Sequence, residues 1–445
     1  MHPGATARRL TRARPGWSGW SALGAWAAWA AFTAFAAVQV FMAVRRPGGP
    51  DGMSDLGVYT GAVRALVGGG SLYDFASANG DRFVYPPFAG LLLVPVAALP
   101  ELAGRVVWTL LGCVEVVVLA WVVVRRSPLP ALAALPRGCR VPLVAGVLML
   151  TYPVFSGLFL GQVSLLVTLL ALLDLVDLTP RWCRGVLLGL AAAVKLTPLA
   201  LVPYLWLTGR RRAAARAAGA FVLAGVVAGW AAPAETGRYL AAARADHPFI
   251  DLGQADNASL VGLLTRTARP DAPGWAVLLP VVALLVVWSC RRAARAYRQG
   301  QVLAGAVVVG AMTVLVSPVS WSHHQVLLVL AAACTVGAGQ RRAAAWPVGV
   351  LLLTSVPVQA VLLHLGDPGP VLRESGALLA LAIACAVPFG PVRTSAARAG
   401  RTALRTQVDA SGGSERPSAQ GTWVGTARPQ GGRPAPCEPS SDRCP

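Results

Sequence analysis

Lysine is almost absent from this 445-residue chain: Lys195 is the only one, and every other basic residue except histidine is arginine. Beside abundant alanine, glycine and proline, that ratio reflects the codon bias of a GC-rich genome rather than selection for guanidinium chemistry. Charge of either sign is scarce, at 13% of residues against about 25% in soluble globular chains. A soluble enzyme is therefore disfavoured. The eight cysteines form no CxxC pair, so a zinc site is not indicated. What the chain has instead is apolar length. It is 55% hydrophobic, with several runs of about 18 residues or more, and it reads as an all-α polytopic membrane protein.

The net charge of +20 would suit nucleic acid in a soluble domain. In a membrane protein, arginine collects in cytoplasmic loops for topological reasons, so no nucleic-acid partner is expected. Arg8, Arg9, Arg12 and Arg14 precede an apolar stretch over 21–44. That stretch is too long for a signal-peptide core of about 7–15 residues, and it predicts an uncleaved first helix with its N-terminus inside. Further helices are expected near 102–124, 141–160, 163–177, 213–232, 274–289, 302–318, 324–338, 346–364 and 375–392. Arginine clusters at 125–140, 210–216, 291–298, 341–342 and 393–401 place the intervening loops in the cytoplasm.

The segment 185–207 breaks the alternation, because Arg184 precedes it and Arg210 follows it. It is too short to cross twice at about 20 residues each. The reading is a re-entrant hairpin broken at Lys195-Leu196-Thr197-Pro198. Counting its arms, 12 segments result, with both termini cytoplasmic. Residues 88–99 are too short to span and predict a juxtamembrane helix.

The domains then run as a basic tail over 1–20, a transmembrane catalytic domain over 21–392 and a disordered cytoplasmic tail over 393–445. Outer loops fall at 45–101, 233–273 and 317–324. No cysteine pair falls in them, so no extracellular disulfide is indicated.

The residues able to do chemistry gather on the outer side. Asp55 opens a short helix with Tyr59 one turn on. It is either a helix cap or a carboxylate able to take a proton from a substrate hydroxyl. Lys195 is either a lysine snorkelling to the headgroups or an ammonium held in a wet cavity for a phosphate. His323 and His324 precede a helix. Adjacent helical side chains diverge by about 100°, which argues against a shared metal. They are either interfacial histidines beside Trp321, or one imidazole reaches the site as a hydrogen-bond donor. Gln162 and Asn257 lie in polar outer turns. No metal or other cofactor is called for.

The run Asp55-x-x-x-Tyr59, Leu72-Tyr73 and Tyr85-Pro86-Pro87-Phe88 resembles the first outer loop of polyprenyl-phosphate-sugar-dependent glycosyltransferases of the GT-C fold. Gly161-Gln162-Val163-Ser164, Val194-Lys195-Leu196-Thr197-Pro198 and Ser317-Pro318-Val319-Ser320-Trp321-Ser322-His323-His324 are similar to glycosyltransferase family 87, and the likeness covers roughly 20–390.

That resemblance implies an inverting transfer of mannose from polyprenyl-phosphate mannose to a lipoglycan or cell-wall glycan hydroxyl, through an α-(1→2) linkage. The reaction would take place on the outer face of the plasma membrane. The partners implied are the lipid-linked donor, a glycolipid or glycan acceptor and membrane lipid. Asp55 would be the base, while Lys195 and one of His323 or His324 would lie at the donor phosphate. Tyr59, Tyr85, Gln162 and Asn257 would complete the substrate site. Polyprenyl-phosphate arabinose is the alternative donor. A transporter or lipid flippase is the alternative from another class, and it would need inverted repeats and midplane polar residues that this chain does not show.

Overall fold

The computed structural model describes residues 19–45, 53–242, 252–254, 256–268, 272–337, 340–364 and 374–391. Among the described residues there is no strand, only helices and three isolated β-bridges. The chain opens with α1 (Gly19–Arg45), followed by α2 (Ser54–Val67) and α3 (Pro87–Ala97). Next come α4 (Glu101–Arg126), α5 (Pro130–Ala134), α6 (Arg137–Met149), α7 (Tyr152–Leu160) and α8 (Ser164–Leu175). Then follow α9 (Val186–Val194), α10 (Val202–Leu207), α11 (Arg211–Ala231), α12 (Pro233–Ala242) and α13 (Leu260–Thr267). The remaining helices are α14 (Ala272–Arg298), α15 (Val302–Val316), α16 (Val326–Val329), α17 (Gln340–Leu353), α18 (Val356–His364) and α19 (Ser375–Cys385).

Among the described residues, three helices, in α1, α4 and α11, are long and apolar enough to cross a bilayer. Their outward faces carry what lipid requires: Leu23 and Trp26 on α1, and Val222, Leu223 and Trp230 on α11, are large, apolar and exposed. In water such a surface would be an aggregation liability; in hydrocarbon it is the ordinary exterior. The chain is a membrane protein.

The other apolar segments are mostly interrupted. Where one helix was expected over 141–160, the chain breaks between α6 and α7. Thr151 is extended and bridges Ser355. The Tyr152 amide donates to the Thr354 carbonyl at 2.7 Å, and the Val356 amide to that of Leu150 at 2.9 Å. Pro153, in the first turn of α7, has no N–H to continue a ladder from α6. The same pairing splits the helix expected over 346–364 into α17 and α18. The helix expected over 324–338 is likewise a string of short turns that ends extended at Cys334. There the freed carbonyls find side chains: Trp346 Nε1 donates to Ala331 O at 2.8 Å, and Ser127 Oγ to Ala333 O at 2.7 Å.

The segment 185–207 leaves and returns to one point. Arg184, just before α9, and Arg210, just after α10, each place Nη1 3.1 Å from Asp177 Oδ1. Tyr297 donates to the other carboxylate oxygen at 2.7 Å. Each arm is under a dozen residues, or at most about 17 Å of helix, far short of a hydrocarbon core of about 30 Å. Asp174, fully buried, accepts the Leu188 amide at 2.9 Å and satisfies an orphan donor of α9. The chain turns into α9 at Gly185, with φ 102°, where a Cβ would meet Ala213 O at 2.0 Å. Lys195, with extended backbone, is the break at the far end of the first arm.

Candidate active site

The site is assembled where α2 docks on the end of α7. The Met53 amide donates to Phe159 O at 3.1 Å, which fixes the first turn of α2. No side chain caps that helix, so Asp55 is not its cap. The Asp55 carboxylate is turned instead toward the Gly161-Gln162 corner, and its Oδ2 accepts a 2.5 Å hydrogen bond from Gln162 Nε2. The corner can approach α2 because Gly161 is left-handed, with φ 71°. A Cβ there would lie 2.7 Å from that of Leu56.

Gln162 is held from both ends. Its Oε1 accepts from Tyr59 Oη at 2.9 Å and from Tyr85 Oη at 3.3 Å. The two phenols also lie 3.1 Å apart, with their rings edge to face. Acceptance by Oε1 leaves only the amide N–H₂ to face the carboxylate, so the network fixes the direction of Asp55. Burial raises the carboxyl pKa to about 6, against the opposing pull of the Gln162 hydrogen bond.

Lys195 reaches the same place from the hairpin break. Its Nζ lies 3.2 Å from Ser164 Oγ, 2.6 Å from His324 Nε2 and 5.3 Å from the centre of the Tyr85 ring. His324 closes a 3₁₀ turn over Ser322–His324, and its Nδ1 accepts the Trp321 amide at 3.2 Å. Burial pushes both imidazoles below the ordinary histidine range.

Asp55, Tyr59, Tyr85, Gln162, Lys195 and His324 all line one cavity of about 450 Å³. A narrower crevice of about 50 Å³ opens beside Lys195 and His324. It runs along apolar side chains of α8, α15, α16 and the turn after Lys195, including Val167, Ala171, Leu201, Val314 and Leu327.

Two residues singled out from the sequence do not line the cavity. His323 is buried, its ring packed edge to face on His324 at 4.4 Å. Asn257 is fully buried, and its side chain makes four hydrogen bonds. Its Nδ2 donates to Leu252 O at 3.0 Å and Pro318 O at 3.2 Å, and its Oδ1 accepts from Ser259 N at 3.2 Å and Ser320 N at 2.9 Å. It braces the turn that carries His324. Arg266 in turn donates to Asn257 O at 3.0 Å while pairing in fork geometry with the buried Glu374.

Sequence reasoning missed three contributors to this region. Ser164 is bonded to Lys195. Trp321 donates its amide to His324 Nδ1 and lines the cavity. Tyr239 of α12 also lines the cavity and sits against Tyr73 at 6.0 Å. The first two lie within motifs already singled out; nothing in the pattern of α12 marks Tyr239. Among the described residues, no group of three histidine, cysteine or acidic side chains is placed to hold a metal ion.

Glycosyltransferase family 87 matches residues 83–318, just over half of the chain. Over 286 residues the chain is 33% identical to a polyprenol-phosphate-mannose-dependent alpha-(1-2)-phosphatidylinositol pentamannoside mannosyltransferase of Mycolicibacterium smegmatis, covering 62% of this chain and 67% of that one. It is 30% identical over 300 residues to a polyprenol-phosphate-mannose-dependent alpha-(1-2)-phosphatidylinositol mannoside mannosyltransferase of Mycobacterium tuberculosis, covering 62% and 68%. A protein of the latter description from M. smegmatis is 27% identical over 377 residues, covering 78% and 85%. No solved structure matches. The matched span contains Tyr85, Gln162 and Lys195 but stops short of both Asp55 and His324, which are tied to it by the hydrogen bonds at Gln162 and Lys195. The chain belongs to glycosyltransferase family 87 and is a membrane glycosyltransferase.

Proposed function

We propose that the chain is an inverting α-(1→2)-mannosyltransferase that moves mannose from polyprenyl-phosphate mannose to a hydroxyl of a mannosylated glycolipid or cell-wall glycan. The observation that carries this reading is the single cavity in which a directed carboxylate, Asp55, shares walls with the nitrogen pair Lys195 and His324. A carboxylate with pKa about 6 is mostly ionised at neutral pH and still basic enough to accept the proton of an attacking hydroxyl. The oxocarbenium-like state sends its electron pair to the departing phosphate oxygen, where Lys195 and His324 stabilise the new charge. Attack opposite the phosphate inverts a β-linked sugar to an α-linked product. The apolar crevice beside Lys195 suits the first isoprene units of the donor. Mannose is preferred to arabinose because the relatives are named for mannose.

The same reading places the cavity on the outer face of the plasma membrane, within a GT-C-type arrangement of about 12 membrane segments that includes the re-entrant hairpin 185–207. Support for this sidedness comes from the arginines. Arg126, Arg184 and Arg210 converge on Asp177, at the opposite end of the hairpin from Lys195, as the positive-inside rule requires. The transmembrane domain 21–392 and the cytoplasmic tails 1–20 and 393–445 follow from that assignment.

The test is purified protein in lipid nanodiscs, offered polyprenyl-phosphate mannose or polyprenyl-phosphate arabinose with a phosphatidylinositol mannoside acceptor. Transfer is expected from the mannosyl donor. Transfer from the arabinosyl donor alone would overturn the sugar assignment, and transfer from neither would overturn the reading.

A further inference from the structure

The hydrogen bonds around His324 constrain where its proton sits. The Trp321 amide donates to Nδ1 at 3.2 Å, so Nδ1 presents its lone pair. Burial keeps the ring neutral, and a neutral imidazole with Nδ1 bare carries its one proton on Nε2. That Nε2 lies 2.6 Å from Lys195 Nζ. An N–H facing Nζ at this distance needs an acceptor, and an amine offers a lone pair where an ammonium has none. The opposite arrangement, an ammonium donating to a bare Nε2, would put the ring proton on Nδ1, pointing at the Trp321 N–H.

We propose that Lys195 is a neutral amine in the free enzyme, its lone pair capped by the Nε2–H of His324, and that it takes up one proton when the phosphodiester of the donor binds. This rests on the donor reading above and deepens it. Protonation fills the lone pair, so the Nε2–H···Nζ hydrogen bond breaks and the imidazole N–H is released. One proton taken from solvent thus supplies two donors to the phosphate, the ammonium and the imidazole N–H. When the glycosidic C–O bond breaks, its electron pair passes to the phosphate, which becomes a dianion between these two groups. The proton of the acceptor goes separately to Asp55. Lys195 returns its proton as the lipid phosphate leaves. Without a cap, a permanent ammonium in this cavity would hold any anion, including the product.

The other ionisable groups facing Lys195 are Asp55 and Tyr59 from α2, Tyr85, Asp81 and Arg82 from the first outer loop, Tyr239 from α12, and His323 beside His324. Among the described residues, Asp55 and the imidazole of His324 are the rival sites for the proton.

The experiment is titration calorimetry of the protein in nanodiscs with a short-chain isoprenyl-phosphate mannose, without acceptor, near about pH 8. Two buffers of different ionisation enthalpy give the number of protons exchanged. Uptake of about one proton is expected in the native protein and in Asp55→Asn. Affinity should fall about tenfold per pH unit on the alkaline side. Lys195→Arg, whose guanidinium is always charged, should bind with no uptake and no alkaline loss. Binding heat that is independent of buffer in the native protein would overturn the proposal and leave the donor reading standing. Uptake that disappears in Asp55→Asn would move the proton to the carboxylate and overturn it too. No binding in either buffer or by any variant would overturn both readings.

Discussion

Asp55→Asn separates the chemical from the structural role of this carboxylate. In the native chain Asp55 Oδ2 accepts from Gln162 Nε2. An asparagine with its oxygen turned the same way keeps that hydrogen bond, so the Gln162–Tyr59–Tyr85 network stays satisfied. The start of α2 is uncapped by any side chain, so the substitution removes no cap. Stability should change by no more than about 0.5 kcal/mol, as for substitutions that break no buried partner. What is lost is the ability to take a proton. A general base contributes about 10²–10⁴-fold, equivalent to about 2.7–5.4 kcal/mol in the barrier. The assay is single-turnover transfer of labelled mannose at saturating donor, beside a thermal unfolding curve in detergent. A fall of at least about 100-fold with an unchanged unfolding midpoint is expected. Transfer within about tenfold of the native rate would refute the assignment. Asp51→Asn, four residues earlier and outside the described residues, should be nearly neutral and serves as the control.

Three further outcomes follow from the same geometry. The base must be ionised, and its pKa is raised to about 6 by burial. The pH profile of kcat/KM should therefore show an acid limb near that value, with activity lost as pH falls through it; a profile flat down to about pH 4, where an ordinary carboxylate titrates, would contradict the burial argument. Asn257→Ala leaves the Ser320 amide and Pro318 carbonyl without this partner, at a cost of about 1–3 kcal/mol. It should also lower kcat about tenfold at a temperature where the protein remains folded, so a native kcat there would deny Asn257 any part in placing His324. For sidedness, a cysteine at the exposed Asn79 should react with an impermeant thiol reagent in intact cells, and Cys183, beside Arg184, only after permeabilisation; the reverse pattern would invert the topology.

Much of the arrangement was legible where one residue stood out against its background. Lys195 is the only lysine, and the arginines flanking 185–207 implied a segment that returns to its own side; Asp177 is where its two ends meet. Asp55, Tyr59 and Tyr85 were legible as parts of one motif. The hydrogen bonds joining them through Gln162, 107 residues from Asp55, were not. Asn257 looked like a substrate ligand because polar residues in outer turns look alike in sequence. Its task is set by Pro318 and Ser320, some 60 residues away. The breaks at Thr151 and Ser355 were hidden for a similar reason. Both lie in apolar runs whose composition suits a helix, and only their pairing across about 200 residues shows why neither continues. The irregular stretch after His324 depends on Ser127 and Trp346 donating to its carbonyls, which no local pattern encodes.

The most direct test of the account is the identity of the sugar donor and of the bond formed. The purified chain should be incubated with a phosphatidylinositol mannoside and either polyprenyl-phosphate mannose or a nucleotide-activated mannose, labelled in the sugar, and the product digested with an α-(1→2)-specific exomannosidase. Label should enter the glycolipid from the lipid-linked donor alone and be released completely by the enzyme. Label entering directly from the nucleotide sugar, or a product resistant to that mannosidase, would contradict it.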